Sequence, residues 1–435
     1  MVSLDAWLPR AAALRPEHPA LVTGDGVVTT YAQLHAHARL AAGALALQGV
    51  RAGDRVALGL PAGVEFVAVV HAVLGLGAAV VPLDARLSEE ENAVRAVGAK
   101  VVVDRPLAGE EHDLLTRFDP AAVATVMHTS GTTSAPKPVE LTISNWHWNA
   151  LGSALALGLD RDERWLCTLP LSHVGGLSIL LRSAIYGTTV VLHERFDAQR
   201  AAAALGDPAQ GVTLVSLVAT TLARVLDAGL QQPPRLRCAL IGGAPLAPAL
   251  AARAAAAGIP AAQTYGMTEA CSQVTTSLPG EPETAGRALA GQQVELAPDG
   301  EILVRGETVA VAAPAADGWL HTGDLGTLDA SGRLTVTGRK ADTIVSGGEN
   351  VAPQEVEAVL LAHPAVADAA VFGEADPEWG EAVAATVVLR GEVDAEDLRT
   401  HVAQRLARFK VPKRISFADS LPRTPSGKLL RRELR

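Results

Sequence analysis

Nine residues, Thr129-Ser130-Gly131-Thr132-Thr133-Ser134-Ala135-Pro136-Lys137, follow the short apolar run 124–127 after one intervening histidine, His128. Hydroxyls and backbone N–H groups gathered around a glycine can surround a polyphosphate, and a lysine supplies the opposing charge. The segment is not a P-loop. The terminal Gly-Lys-Ser/Thr that opens a helix is missing, and Pro136 and Pro138 would obstruct such a helix. Taken alone, it also reads as a flexible Ser/Thr turn. Lysine is scarce, with six in 435 residues, which makes any one of them less easily dismissed as surface filler. Three of the six, Lys137, Lys340 and Lys428, fall in motif-like segments. Four more such segments stand in order along the chain. They are Tyr265-Gly266-Met267-Thr268-Glu269, Trp319-Leu320-His321-Thr322-Gly323-Asp324, Gly338-Arg339-Lys340-Ala341-Asp342 and Pro422-Arg423-Thr424-Pro425-Ser426-Gly427-Lys428.

The elements that must carry these segments follow from periodicity. Helical stretches at 32–48, 88–97, 144–156 and 246–257 alternate with short β-branched runs at 100–103, 188–192, 213–218 and 238–241. That alternation predicts layered α/β architecture with mostly parallel strands. From about Gln292 the pattern changes to short strands with polar turns, at 300–306 and 332–338, which predicts a small β-rich subdomain. After Arg339 comes a tail with two helices, near 354–361 and 395–406, and strands near Ala369 and Ala384. It reads as a separate small α+β domain. The domain division expected is 1–339 and 340–435.

Bulk properties exclude several classes. A formal charge of -10 argues against a nucleic-acid-binding surface, which needs a net basic footprint. Cys167, Cys238 and Cys271 are too few and too scattered for a disulfide framework or a zinc site. The N-terminus carries Asp5 and Arg10 where a signal peptide needs an apolar core, so a reducing cytoplasm is expected. The apolar run 66–83 is broken by His71, Gly75 and Gly77. It therefore reads as a buried helix to about Val73, a glycine turn and a strand at 78–82, with no membrane span.

The five ordered motifs resemble the adenylate-forming superfamily of acyl-CoA synthetases, luciferases and nonribosomal adenylation domains, and the resemblance covers nearly the whole chain. It implies activation of a carboxylate by ATP as an acyl-adenylate, then transfer of the acyl group to coenzyme A, with a mobile C-terminal domain. In that pattern the loop of Thr129, Ser130, Gly131, Thr132, Thr133 and Lys137 holds the β- and γ-phosphates. Tyr265, beside Gly266, stacks on adenine, Thr268 contacts the α-phosphate and Glu269 helps bind Mg2+, a hard cation that prefers carboxylate oxygen. Asp324 accepts hydrogen bonds from the ribose hydroxyls with Arg339 close by, and Gly242, Gly243 and Ala244 flank the nucleotide and acyl pocket. Lys428 places an ammonium against the negative charge that builds as the carboxylate attacks the α-phosphorus. The resemblance further implies a hinge just after Arg339, here at Ala341, and a pantetheine path along Ser346, Gly347 and Gly348. The loop departs from the family's usual glycines at Ser134 and Pro138, which would stiffen it.

Residues 165–187 look like the subgroup of o-succinylbenzoate-CoA ligases of menaquinone biosynthesis, through the Gly-Leu-Ser-Ile-Leu stretch and the Arg-Ser-x-Ile-Tyr-Gly run. Residues 144–150 and 346–350 agree with it. His173 matches the family position beside the acyl pocket. A diacid substrate needs a cationic or polar partner for its second carboxylate inside an apolar cleft, and Arg182 is the candidate, with Ser272 also expected at the pocket. Another aryl- or medium-chain acyl-CoA ligase, or an adenylation enzyme that loads a carrier protein, remains compatible with the same motifs.

Overall fold

The structure is a computed structural model, described for residues 3–129, 137–346, 348–377, 379–423 and 429–434. Among the described residues the chain forms two compact units. The first comprises Met1–Leu246, Leu250–Val294 and Val304–Leu320, and the second Ala247–Ala249, Glu295–Leu303 and His321–Arg435.

Two mostly parallel sheets form the frame of the first unit. In one, the strands Val101–Val103, Arg55–Leu58, Ala79–Pro82 and Val123–Thr129 run parallel, and Lys137–Thr142 closes the edge antiparallel. In the larger sheet, Ala261–Met267, Cys238–Gly242, Leu214–Val218, Arg164–Cys167, Thr189–Leu192 and Pro19–Thr23 are adjacent and parallel. Antiparallel strands complete its two edges, Ser272–Thr276 with Arg287–Ala288 on one side and Val28–Thr30 on the other. Helices connect the parallel strands and cover the sheet faces, as the alternating sequence pattern requires.

Local chemistry sets where the helices begin. Thr30 caps Tyr31–Leu47, Ser88 caps Glu89–Arg95 and Thr142 caps Ile143–Leu157. Each is a reciprocal box in which the residue at the third helical position, Gln33, Glu91 or Asn145, returns a hydrogen bond to the cap backbone. The helix Val64–Gly75 is apolar almost all round and is buried almost all round. It ends before Gly77, whose φ of +73° turns the chain into the buried strand Ala79–Pro82. Among the described residues no helix is long and apolar enough to cross a membrane.

The second unit holds the strands Leu320–Leu328 and Leu334–Arg339 of a four-stranded sheet, and beyond them a five-stranded sheet. In the latter, Val366–Asp376 and Gly380–Leu389 pair along their length, and the free edge of Gly380–Leu389 takes Arg414–Phe417 in parallel and, through Ser346 opposite Gly380, the hairpin Ile344–Ser346 and Glu349–Val351. Helices Pro353–Leu361 and Ala395–Ala403 bury Val356, Leu360, Leu398 and Val402 in its core.

Candidate active site

Residues far apart in sequence meet at the C-terminal ends of the parallel strands of the first unit, the usual location of ligand sites in open α/β sheets. Tyr265 is buried on Ala261–Met267, and the chain continues into a three-residue 3-10 turn, Thr268–Ala270, that presents Thr268 and Glu269 half-buried. The return into Ser272–Thr276 is abrupt. Cys271 (φ 55°) and Ser272 (φ 88°) both adopt left-handed backbone conformations that L-residues seldom occupy. Gly266 is obligatory opposite them, because a Cβ there would lie 1.6 Å from the Ser272 carbonyl oxygen. The Glu269 backbone oxygen accepts from the Ala310 N–H at 2.8 Å, which tethers the turn.

This turn packs beside Val123–Thr129 and Lys137–Thr142. Thr129 and Lys137 are direct partners across that antiparallel pair, so the hydroxyl-rich segment leaves and re-enters the sheet at adjacent positions next to the Glu269 turn. Its residues Ser130, Gly131, Thr132 and Thr133 lie outside the described residues. Gly242 ends Cys238–Gly242, the neighbour of the Tyr265 strand, and Gly243 and Ala244 follow it exposed.

His173 caps the helix Val174–Tyr186 and follows a strand end of the same sheet, with its side chain 40% exposed. Its Nε2 lies 2.8 Å from an Arg86 guanidinium nitrogen and 3.7 Å from Asp84 Oδ2. Burial lowers the His173 pKa below the ordinary imidazole value and the Arg86 charge adds to this, Asp84 opposing. Asp84 and Arg86 escaped the sequence reading; their one signal is a carboxylate and a guanidinium two residues apart just before a capped helix.

Arg182, on the same helix as His173, is 1% exposed rather than turned to solvent. Its Nε and a terminal nitrogen donate to Asn149 Oδ1 at 3.1 and 2.5 Å, and its Cζ lies 5.6 Å from the centroid of the Trp165 ring. Asn149 also donates to the Gln273 carbonyl at 3.4 Å, which ties this buried cation to the strand that begins at Ser272. No carboxylate among the described residues pairs with Arg182. Burial pulls its pKa below the usual guanidinium range.

In the second unit Asp324, 7% exposed, and Arg339 stand directly opposite each other on antiparallel strands, with Arg339 Nε 2.8 Å from Asp324 Oδ1. Lys340 reaches Asp299 at 2.5 Å and Glu301 at 3.2 Å. Residues Lys340–Asp342 form a short 3-10 turn between Leu334–Arg339 and Ile344–Ser346. Ser346 is buried and pairs with Glu349. Gly348 has a φ of +84° at the hairpin tip, a conformation glycine adopts without strain, whereas Gly347 lies outside the described residues.

Lys428 also lies outside the described residues, but both flanks of its segment are held. Arg423 bridges to Leu429, and the Leu430 N–H donates to the Pro422 carbonyl at 2.9 Å. Arg423 pairs with Asp368 at 2.7 Å. Arg431 grips Glu357 with one nitrogen at 2.7 and 2.8 Å and reaches Asp342 at 3.1 Å.

Among the described residues no group of three or more His, Cys, Asp or Glu could hold an ion. A lone carboxylate such as Glu269 fits Mg2+ when substrate phosphates and water supply the remaining oxygens.

Comparison with known proteins identifies the family. The family model of AMP-binding enzymes matches residues 8–117 and 103–311, and that of the AMP-binding enzyme C-terminal domain matches 355–428. A 2-succinylbenzoate–CoA ligase of Bacillus cereus strain Q1 is 39% identical over 479 aligned positions, covering 100% of this chain and 99% of the relative. That of Bacillus subtilis strain 168 is 38% identical, covering 99% and 97%. Among solved structures, o-succinylbenzoate CoA synthetase from Bacillus subtilis with its acyl-adenylate intermediate superposes with a TM-score of 0.92 at 38% identity, covering 100% of this chain and 99% of that one. The same enzyme with ATP and magnesium ion gives 0.91 at 38% identity, with full coverage of both. The chain belongs to the AMP-binding enzyme family, with the family's C-terminal domain included.

Proposed function

We propose that this protein is an ATP-dependent 2-succinylbenzoate–CoA ligase that works through an acyl-adenylate, releasing pyrophosphate and then AMP. The observation that carries this reading is end-to-end similarity to ligases of that specificity, supported within the first unit by the Glu269 turn packed beside the strands that end at Thr129 and begin at Lys137. In the first half-reaction a substrate carboxylate oxygen attacks the α-phosphorus of ATP and pyrophosphate departs. Thr129, Lys137 and residues 130–133 hold the β- and γ-phosphates, Tyr265 stacks on adenine beside Gly266 and the 242–244 segment, and Thr268 contacts the α-phosphate. Glu269 holds Mg2+, which neutralises phosphate charge when bound. Asp324 holds the ribose, and the Arg339 ion pair fixes its carboxylate. Lys428 stabilises the pentavalent charge. In the second half-reaction the CoA sulfur attacks the acyl carbonyl, AMP leaves, and the thiol proton passes to solvent. The thiol approaches along Ser346 and the Gly347-Gly348 tip.

Arg182 pairs with the non-reacting carboxylate, a role supported by its burial without an acidic partner among the described residues. His173 and Ser272 line the acyl site. The functional domains divide at 339/340, with the hinge in the turn Lys340–Asp342, and the enzyme works in the cytoplasm in menaquinone biosynthesis. The test is to mix the protein with ATP, Mg2+, CoA and 2-succinylbenzoate and measure 2-succinylbenzoyl-CoA, AMP and pyrophosphate by mass spectrometry. Parallel reactions contain benzoate or a medium-chain fatty acid. Thioester with 2-succinylbenzoate alone is the expected result, and preferential formation of benzoyl-CoA or a fatty acyl-CoA would overturn the specificity.

A further inference from the structure

The loop between the strand Ala79–Pro82 and the helix Glu89–Arg95 is built around one buried carboxylate. Asp84 is 6% exposed. It accepts from the Arg86 backbone N–H at 3.1 Å, from Arg86 Nε at 2.8 Å and from an Arg86 terminal nitrogen at 2.6 Å. Its own backbone is clamped by Asn92, whose Oδ1 accepts from the Asp84 N–H at 3.1 Å and whose Nδ2 donates to the Asp84 carbonyl at 2.9 Å. The guanidinium is therefore held as a fixed plane. That same terminal nitrogen of Arg86 lies 2.8 Å from His173 Nε2, 87 positions away in sequence.

A guanidinium has donors and no acceptor, so a hydrogen bond to it requires a lone pair on the imidazole nitrogen. We propose that Arg86, held by Asp84, is a positioning residue that fixes His173 as the neutral tautomer with its proton on Nδ1, leaving the ring a hydrogen-bond donor and not a base. The proposal rests on the acyl-site reading of His173 above. In that setting the Nδ1–H donates to an oxygen of the substrate carboxylate and orients it, while the nucleophile is the carboxylate itself and needs no proton removed. Protonating Nε2 would set two donors against each other and break the contact, so the device keeps the ring neutral. The charged groups facing the ring are Arg86 and Asp84 from the loop and Arg95 from the following helix. The two arginines act against an imidazolium and the one carboxylate for it.

The wild-type protein, labelled with 15N-histidine, tests this directly. Long-range proton–nitrogen correlation at pH 7.5, with the His173 signals assigned by their loss in His173→Gln, should show a protonated Nδ1 and an unprotonated Nε2. An Nε2-protonated or doubly protonated His173 overturns the proposal. The second measurement traps the adenylate with hydroxylamine from pH 6 to pH 8.5. Arg86→Met removes the guanidinium that opposes an imidazolium and leaves Asp84 uncompensated beside the ring, which raises the imidazole pKa, so the rate relative to wild type should fall by a further factor of at least about 2 between pH 8.5 and pH 6. Arg86→Lys, which keeps a donor and a charge, should restore most of the wild-type profile. A loss in Arg86→Met that is equal at every pH marks Arg86 as merely structural and overturns the proposal. Wild-type turnover by His173→Gln would instead remove His173 from the acyl site, a failure of the earlier reading that leaves the nitrogen signals to judge the tautomer.

Discussion

Lys428 and Arg182 are cations asked to do different things, and their variants separate the two. A lysine that answers charge developing on a phosphoryl group acts in the transition state, so its loss lowers kcat. Lys428→Ala should slow adenylate formation by roughly 10²–10³-fold, read as hydroxamate under hydroxylamine trapping; a loss under twofold would refute the assigned role. A cation that holds the distal carboxylate acts on binding as well. Arg182→Ala should raise KM for 2-succinylbenzoate by about 10–100-fold, the cost of leaving a charged group unpaired in an apolar cleft. An unchanged KM would show that Arg182 only packs against Trp165 and Asn149. His71 bears on stability instead. It is 4% exposed on the helix Val64–Gly75, and burial lowers its pKa to about 4. The folded state therefore binds fewer protons than the unfolded state between about pH 4 and 6.5, so this part of the stability is present above pH 6.5 and falls as pH drops. Relative to His71→Leu, the wild type should lose about 2 kcal/mol between pH 7.5 and pH 5 in urea unfolding, and a pH-independent difference would contradict this.

At the scale of elements, the hairpin carrying Glu269 and the tail carrying Arg431 show two ways to hold a reactive segment. The hairpin does it with backbone. The left-handed Cys271 and Ser272 and the missing side chain at Gly266 let the strands close around a three-residue turn. The tail does it with charge. Glu357 is buried enough that desolvation raises its pKa, and Arg431, three residues beyond Lys428, is its counter-ion. Removing one partner leaves a buried charge uncompensated, so Arg431→Met should cost about 2–4 kcal/mol in unfolding of the second unit. Restoring most of that loss by adding Glu357→Gln would confirm that the unpaired carboxylate is the cause, and an Arg431→Met protein as stable as wild type would refute it.

At the scale of the whole molecule, the two half-reactions of the proposed mechanism would need different company around the same phosphorus and carbonyl, since the Lys428 ammonium that serves the first would stand in the thiol's approach in the second. In the proposed mechanism a backbone pivot in the short turn Lys340–Asp342 would resolve this conflict. Proline fixes φ near −65° and removes a rotatable bond. Ala341→Pro should therefore spare one half-reaction and slow the other by at least about tenfold, measured as hydroxamate formation against thioester formation from supplied acyl-adenylate. Equal effects on both would place the pivot elsewhere.

What the sequence by itself determined is what local periodicity and turn chemistry control. The helices near 32–48, 88–97 and 144–156, the buried helix followed by a glycine turn, the β-rich stretch from Gln292 and the order of the motifs were all legible, because each depends on neighbours within a few residues. Tertiary structure alone decided the pairings. Arg86 reaches His173 across 87 positions, and Arg182 turns inward to Asn149 and not to solvent. A sequence states which side chains exist. Which guanidinium meets which acceptor depends on sheet order and helix packing, where many weak contacts are summed over residues far apart along the chain.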